Sequence, residues 1–500
     1  MSFLRAATFL SLLMGVLTAA PVQAQSAPMM VPAGDQALRQ DLQWLIDRRI
    51  ISMSVSTWPV SLTVIEKALE NRKKTNLERA DVHALLSVRR ALDDFRATRF
   101  GLEAHVNTDS APQLGFAQQS RARAGLGLYA QGANARVAGR LQVNGLNKPL
   151  TDKQSSVNLE GSYMATQFLG QVVYAGQLAH YWGPGQDGSI NWGNAGTAIP
   201  GIGLQRAAQT APETPWLSWI GPWGYEVFAG QMQHDTAVPN AKVFNARLFF
   251  QPVTGLEIGF SRFMQWGGDG RDNSFGAWWR QIIGNSNPNA GGTDTGNELA
   301  GLDFRYTLPF FSNPVSVYGQ FAGEDEADKM PSKFIGQLGL QYQYIIGTGT
   351  RVQWHVEAAD TMARRLFRSN AYGDPGIAYN HGIYRNGLYH DGMPIGHPIG
   401  GDGRSYAIGL SVVPDDFRYH SRFHARFMMA KVSESDRATN RGSNHVFPDP
   451  AKWYGTDLSY SWRIRPASFS AGVRWMKRSS GNFNSTLSLM VSMQIPLGNP

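Results

Sequence analysis

Aromatic and hydrogen-bonding side chains crowd into one segment of the chain, between His180 and Trp223, which holds five of the 14 tryptophans. A tryptophan ring offers a flat apolar face that stacks on the C–H side of a sugar ring, and nearby charged groups can bond to the sugar hydroxyls. The segment therefore predicts a carbohydrate platform, whose candidate residues are Trp182, Asp187, Trp192, Arg206, Trp216, Trp219 and Trp223. The alternative, left open for each tryptophan, is an aromatic girdle at a membrane interface.

Two further groups of residues are candidates for the same chemistry. Trp266 and Arg271 border one Gly- and Asp-rich segment, and a longer segment from Asp374 to Arg404 carries the remaining four candidates, Tyr379, His381, Tyr384 and Arg385. If the Trp216 region does not face the outer surface, the longer segment becomes the better candidate for the binding site.

Catalytic and metal-binding patterns are absent from the sequence. The chain has no cysteine, no His-Glu-x-x-His, no Walker loop and no Gly-x-Ser-x-Gly elbow. The run Glu324-Asp325-Glu326 is expected to be a solvated loop, and His420 and His424 are expected to lie about 13 Å apart on one strand, too far for one metal ion. We predict no catalytic residues, no metal site and no cofactor.

The elements that must position the candidate residues show a period of two. Phe423, Ala425, Phe427 and Met429 alternate with Arg422, His424, Arg426 and Met428, and the same alternation marks 137–143, 256–261, 351–358 and 487–495. A strand with one face in lipid and the other in a wet lumen gives this pattern at low hydropathy, and the mean hydropathy is -0.28. At ~10 residues per strand, about 400 residues form 16–18 strands of a transmembrane antiparallel β-barrel. Short turns alternate with long segments, notably Asn285 to Asn297 and Asp374 to Arg404.

The start of the chain has a different organisation. Residues 1–24 combine Arg5, an apolar run and a Val22-Gln23-Ala24 end, which predicts a signal peptide with the mature chain beginning at Gln25. Residues 25–99 then show helical spacing, with apolar residues in three helices and a capping box predicted from Thr63 and Glu66. This module is too small to hold much of a core, so we expect it to dock on the barrel, residues 100–500.

The charge balance argues against nucleic acid as a partner. The formal net charge is +8, from 46 basic and 38 acidic residues, and no block of five like charges occurs.

Several ordered blocks of residues resemble the Wzi-type capsule assembly family of outer-membrane proteins. The blocks are Trp182-Gly183-Pro184-Gly185, Ile199-Pro200-Gly201, Leu204-Gln205-Arg206, 256–262 with Gln265-Trp266-Gly267-Gly268, Tyr318-Gly319-Gln320, 323–326, Tyr379-Asn380-His381, Ile395-Gly396-His397 and Ser56-Thr57-Trp58-Pro59. They extend over nearly all of the mature chain.

The resemblance implies a non-enzymatic lectin that anchors capsular polysaccharide or exopolysaccharide at the surface of a Gram-negative bacterium. It implies a barrel in the outer membrane, in contact with its lipid, with the helical module in the periplasm and the long loops at the cell surface. Contact with the polysaccharide export machinery is left open. Two rival functions also stay open, namely a porin or polysaccharide export channel and a barrel-embedded glycoside hydrolase.

Overall fold

Long antiparallel strands dominate the structure, a computed structural model that describes residues 28–73, 75–96, 99–283, 296–327, 330–365, 373–434, 444–479 and 485–497. The predicted leader, residues 1–24, and nearly all of the segment from Asn285 to Asn297 lie outside these ranges. The side chains of 324–332 and of residue 365 also lie outside the description.

Short strands precede and interrupt the barrel. They are β1 (Met30–Val31), β2 (Thr57–Trp58) and β3 (Val60–Ser61). The first barrel strands are β4 (Arg99–Asn107), β5 (Ala122–Ala133), β6 (Val137–Pro149), β7 (Val157–Asn158), β8 (Tyr163–Phe168) and β9 (Gln171–Gly176). After the short β10 (Tyr181–Trp182), the barrel continues with β11 (Gly201–Arg206), β12 (Trp223–Gln231), β13 (Lys242–Val253), β14 (Leu256–Trp266), β15 (Gly296–Thr307), β16 (Val315–Ala327), β17 (Met330–Ile346) and β18 (Thr350–Arg365). Following β19 (Tyr389–His390) and β20 (Met393–Pro394), it ends with β21 (Arg404–Val413), β22 (Arg422–Val432), β23 (Ala451–Ile464), β24 (Ala467–Arg478) and β25 (Ser485–Pro496).

Each barrel strand pairs antiparallel with its neighbours in the chain, and β25 pairs with β4 to close the barrel, with Ile495 opposite Leu102. Because β7 and β8 both pair with β6, they act as one interrupted strand, so the barrel has eighteen strands. This confirms the predicted fold class and strand number.

The predicted alternation is also confirmed on individual strands. On β22, Phe423 and Phe427 are exposed on the outer face, while Arg422 is buried in the lumen. A lipid-facing surface of apolar side chains needs no hydrogen-bond partners, whereas the polar lumen side chains bond to one another or to chain segments inside the barrel.

Three helices form the module that precedes β4, and they span Gln36–Asp47, Leu62–Glu70 and Arg79–Arg96. No helix in the described part of the chain is both long and apolar enough to cross a membrane. The predicted capping box is wrong, because Ser61 is the N-cap of the second helix and its hydroxyl accepts from the Thr63 amide, while Glu66 pairs with Arg96.

The two ends of the barrel differ. Strand β4 starts just after the third helix, so we call this the helix end, and tight turns such as Val253 to Leu256 lie there. The module contacts the barrel at this end, for example where Ser54 Oγ donates to Glu257 Oε1 at 2.8 Å. At the opposite end, the loop end, longer segments join β6 to β7, β12 to β13, β18 to β21 and β22 to β23.

Three segments occupy the lumen. The helix Gln36–Asp47 enters from the helix end, and Asp41 pairs there with Arg351 at 2.7 Å and Arg422 at 2.5 Å. Residues 177–200, which we call the lumen segment, run between β9 and β11 inside the barrel. Residues 373–403, the long loop, reach down from the loop end, and the amide of Gly193 donates to the carbonyl of Ile395 at 2.7 Å.

Candidate functional site

Two of the predicted platform tryptophans belong to the packed interior of the barrel. Trp182 and Trp192 are 1% and 3% exposed, and their rings meet edge to face with centroids 4.8 Å apart. The Trp182 indole donates to Glu226 Oε2 at 2.9 Å, and Trp192 stacks on His180 at 3.8 Å. Because neither ring face is open, neither can stack on a sugar, and the aromatic cluster instead fixes the lumen segment.

Asp187 is likewise a structural residue of the lumen segment. Its carboxylate contacts His355 Nε2 at 2.7 Å and Arg426 Nη1 at 3.2 Å. Burial opposes its ionisation, but the facing His355 and Arg426 outweigh burial and lower the pKa of Asp187 to about 2. The residue therefore holds the lumen segment to β18 and β22 as a carboxylate.

The remaining residues of the Trp-rich segment lie at the helix end, outside the lumen. Trp216 and Trp219 are 73% and 63% exposed in the short 3-10 helix Pro215–Ile220, between β11 and β12. Trp223 starts β12, and the Arg206 guanidinium lies 4.0 Å over its ring. The residues of the predicted platform therefore do not lie together, because they divide between the interior and the end opposite the long loops.

Trp266 and Arg271 lie at the loop end. Trp266 ends β14, and Lys242 Nζ lies 4.8 Å from its ring, as in an interfacial aromatic girdle. The Arg271 guanidinium lies 6.0 Å from the ring of Tyr384.

The candidates on the long loop divide into buried and accessible residues. Tyr379 is fully buried and Tyr384 is 2% exposed, with its hydroxyl donating to the carbonyl of Gly267 at 3.0 Å. Arg385 is exposed, and the partly buried ring of His381 accepts at Nδ1 from the amide of Ile383 at 3.2 Å. The tyrosines therefore hold the long loop in place, whereas Arg385 and His381 remain near the surface.

A polar cavity of about 280 Å³ opens at the loop end where four loops meet. It is lined by Lys153, Gln233, Asp235, Thr236, Ala237, Asn386, Tyr389, Gly392 and His445.

The cavity wall is held together by bonds between the loops. Lys153 Nζ pairs with Asp235 Oδ2 at 2.5 Å, and Asn386 Oδ1 accepts from the amide of Ala237 at 2.6 Å. The amide of His445 donates to the carbonyl of Gly392 at 2.9 Å. Ammonium, carboxylate, amide, hydroxyl and imidazole groups thus converge on one space, and this set of donors and acceptors matches a polyhydroxylated ligand.

The sequence did not point to Lys153, Asp235, Asn386 or His445. They come from four loops far apart in the chain, so no local spacing links them. The signal that was available is the polar, glycine-rich composition of the loops, which located the long loop but not its partners.

The described residues hold no group of three or more histidines and carboxylates arranged for a metal ion. The backbone of Glu324-Asp325-Glu326 belongs to strand β16, so the expectation of a loop at these residues is wrong. His420 also lies before β22 rather than on it, and its ring is 5.1 Å from that of His83.

Comparison with known proteins shows the family of this chain. The family described as "Capsule assembly protein Wzi" matches residues 100–486. A Klebsiella pneumoniae protein, described as an uncharacterized 55.8 kDa protein in the cps region, is 35% identical over 97% of this chain and 92% of its own length.

A solved structure is similar over almost the whole length. It is Wzi of Escherichia coli, described as an outer membrane protein involved in group 1 capsule assembly and a carbohydrate-binding β-barrel. It is 34% identical, with a TM-score of 0.81 over 94% of this chain and 100% of that one. These matches confirm the resemblance given by the sequence blocks, and the chain belongs to the Wzi family of capsule assembly proteins.

Proposed function

We propose that this outer-membrane barrel is a lectin that binds capsular polysaccharide or exopolysaccharide in the loop-end cavity and anchors it at the cell surface. The observation that carries the proposal is the convergence of Lys153, Asp235, Asn386 and His445 from four loops on one polar cavity. The carbohydrate binding described for the Escherichia coli relative supports the class of ligand.

The filled lumen favours binding over passage. The helix Gln36–Asp47, the lumen segment and the long loop succeed one another along the barrel axis, held by buried ion pairs and hydrogen bonds. A wide pore would leave this volume to water. In planar bilayers we expect the protein to show little steady conductance, and a stable conductance of porin size would favour the channel function instead.

We assign the helix end, with residues 25–99, to the periplasm and the loop end to the cell surface. The connections at the helix end are mostly short turns, apart from the one between β11 and β12, and those at the other end are mostly longer loops, which supports this orientation. Since the chain has no cysteine, Arg385→Cys and Arg72→Cys each give one thiol, at opposite ends. An impermeant maleimide should label residue 385 on whole cells and residue 72 only after the outer membrane is opened. The opposite result would reverse the orientation and leave the helical module, not the loops, outside.

The periplasmic module is also where contact with the polysaccharide export machinery would occur. Its third helix presents Arg89 and Asp93 outside the packed interface. Crosslinking from these positions in capsulated cells tests that contact separately from sugar binding.

Removal of the cavity's ion pair tests the binding site. Lys153→Ala with Asp235→Ala takes away both partners, so no charge is left unpaired. We expect the affinity of detergent-purified protein for capsular polysaccharide from its own host to fall about tenfold, because hydrogen bonds to the sugar hydroxyls are lost. In cells, polymer should move from the surface to the medium at unchanged total amount.

The matched control is Arg123→Ala with Asp109→Ala. These residues form another exposed pair at the loop end, 3.7 Å apart, outside the cavity. Equal losses in both double variants would mean that loop charge in general, not the cavity, holds the polymer. New reducing ends after incubation of the wild type with polymer would indicate a hydrolase.

A further inference from the structure

Three basic residues face one another in a row on the outside of the barrel, near the loop end. Arg404 on β21 lies directly opposite Lys431 on β22, which lies opposite Lys452 on β23. They point outward, because each shares a strand face with the exposed residues two positions away, such as Tyr406 and Met429. Like charges placed directly opposite each other destabilise a sheet. The row therefore costs stability unless anions offset it.

Carboxylates among the described residues neutralise only part of this positive charge. Arg404 Nε lies 3.3 Å from Asp360 Oδ2, and Lys431 Nζ lies 3.7 Å from Glu434 Oε1. Asp360 is shared with a further arginine, Arg364, at 3.0 Å. In the parts of the chain that the structure describes, the exposed Lys452 has no carboxylate within ion-pair distance.

The row borders a groove of about 210 Å³ on the outer surface. Besides the three cations, the groove is lined by Tyr406, Met429 and Tyr454, which form the next row toward the membrane centre. Tyrosine hydroxyls add donors beside the cations, and the rings and the methionine supply an apolar floor.

Below the groove the barrel surface is mainly apolar, with Thr456 as a polar residue beside Phe427. Ile408 lies opposite Phe427, and Leu410 and Leu458 follow toward the helix end; all four are exposed by 37% or more. A ligand seated here would meet cations at one end and hydrocarbon at the other, which is the shape of an anionic amphiphile.

We propose that this groove binds the phosphate of a lipid headgroup from the leaflet surrounding the loop end, with its acyl chains lying along the apolar strand faces below. Charge complementarity favours phosphate, and the adjoining apolar surface favours a lipid over free phosphate. The groove faces sideways into the membrane rather than toward the loop-end cavity. The site is therefore distinct from the proposed polymer site and does not depend on it.

The test uses the full-length protein purified in detergent and titrated with bisphosphorylated lipid A, with bound lipid counted by native mass spectrometry. Lys452→Gln should weaken binding about fivefold and Lys431→Gln with Lys452→Gln about 30-fold, since each surface cation contributes about 1 kcal/mol toward an anionic lipid. Fully dephosphorylated lipid A should bind the wild type as weakly as the phosphorylated form binds the double variant.

Lys242→Gln is the matched control, because Lys242 also starts a strand at the loop end but lies beside Trp266 rather than in a row of cations. It should bind lipid A as the wild type does. Heat-dependent gel mobility establishes that each barrel is folded. If the double variant fails to fold, Lys452→Gln alone decides, as this side chain has no ion pair among the residues that the structure describes. Wild-type affinity in the folded variants would overturn the proposal. Displacement of lipid A by an equal concentration of inorganic phosphate would also overturn the proposal, because the groove would then be a site for free anions.

Discussion

The phenol of Tyr379 donates a hydrogen bond to the carbonyl of Ile190 at 2.7 Å. The same hydroxyl accepts from the amide of His397 at 3.1 Å. One buried group thus joins the lumen segment to two separate parts of the long loop, and the long loop forms part of the wall of the loop-end cavity through Asn386 and Tyr389. This wall of the cavity is therefore held in place from inside the barrel.

Loss of this hydroxyl should loosen the long loop. Tyr379→Phe keeps the buried ring but leaves the carbonyl of Ile190 unsatisfied, at a cost of about 1–3 kcal/mol. Hydrogen exchange should become faster over residues 373–403 and stay unchanged in the barrel strands. Tyr419→Phe, at an exposed tyrosine of the helix end, is the control. Unchanged exchange in the Tyr379 variant would show that the loop is held elsewhere.

The docking of the long loop should weaken in acid. Burial lowers the pKa of His397 to about 4 against an opposing influence of Asp187, and its Nε2 has no hydrogen-bond partner among the described residues. When the loop undocks, the ring regains its ordinary pKa near 6.5 and binds a proton more readily. Docking is therefore fully stable above pH 6.5 and loses up to about 3 kcal/mol as the pH falls to 4.

A spin label on Arg385→Cys measures this pH dependence, since the chain has no other thiol. The mobility of the label should rise between pH 6.5 and 4. Adding His397→Gln removes the titrating ring and should flatten the profile. A profile that keeps its shape in the double variant would assign the effect to another group.

The ion pairs of Asp41 should stabilise the inserted helix. Asp41→Asn leaves Arg351 and Arg422, each with a side chain only 4% exposed, without their shared anion, at a cost of about 3–5 kcal/mol. Urea unfolding followed by tryptophan fluorescence should show the loss. Asp93→Asn, at a carboxylate that is 73% exposed and 3.6 Å from Arg96, should change little, and equal losses in the two variants would contradict the argument.

The same pairs should survive moderate acid. Burial raises the pKa of Asp41, but Arg422 and Arg351 more than reverse this and lower it to about 2. Because the folded state holds the carboxylate below its ordinary pKa of 3.8, the stabilisation is complete above that value and disappears as the pH falls through 2. In the wild type, proteolytic release of the helical module should therefore require a pH well below 3.8. Release near pH 5 would show that other groups control it.

The exposed tryptophans of the helix end should act on the membrane and not on the polymer. Trp216→Ala with Trp219→Ala removes two amphipathic rings placed to sit in the headgroup region. We expect normal polymer binding but lower thermal stability of the barrel in lipid bilayers. Lost polymer binding with an intact barrel would restore these residues to the binding site.

Local periodicity was sufficient to predict the strands. Phe423 and Arg422 fall on opposite faces of β22 because neighbouring side chains on any strand point in opposite directions, whatever the rest of the chain does. Helix ends were less predictable, since both Ser61 and Thr63 are capping residue types and only the backbone path selects Ser61. The helix Phe275–Ile282 was missed inside a segment rich in turn residues.

The positions of the candidate site residues were less predictable than the strands, because they depend on long-range packing. A tryptophan that stacks on sugar and one that fills a lumen have the same residue type, and only the fold puts Trp182 against Glu226 and Trp216 at the helix end. The cavity was not predictable from spacing, because Lys153 and His445 meet through loops almost 300 positions apart.

The lumen segment is anchored at both ends, by β9 and β11, and these two strands are themselves paired side by side. The lumen segment is thus covalently joined to the barrel wall at both ends and cannot leave the lumen as a separate plug domain could. For the polymer bound as proposed, nothing has to be threaded and no chain terminus has to be found. Each barrel can then bind the polysaccharide at any repeat along its length. One polysaccharide chain can therefore be shared among many barrels, and the surface layer can grow without release of the polymer.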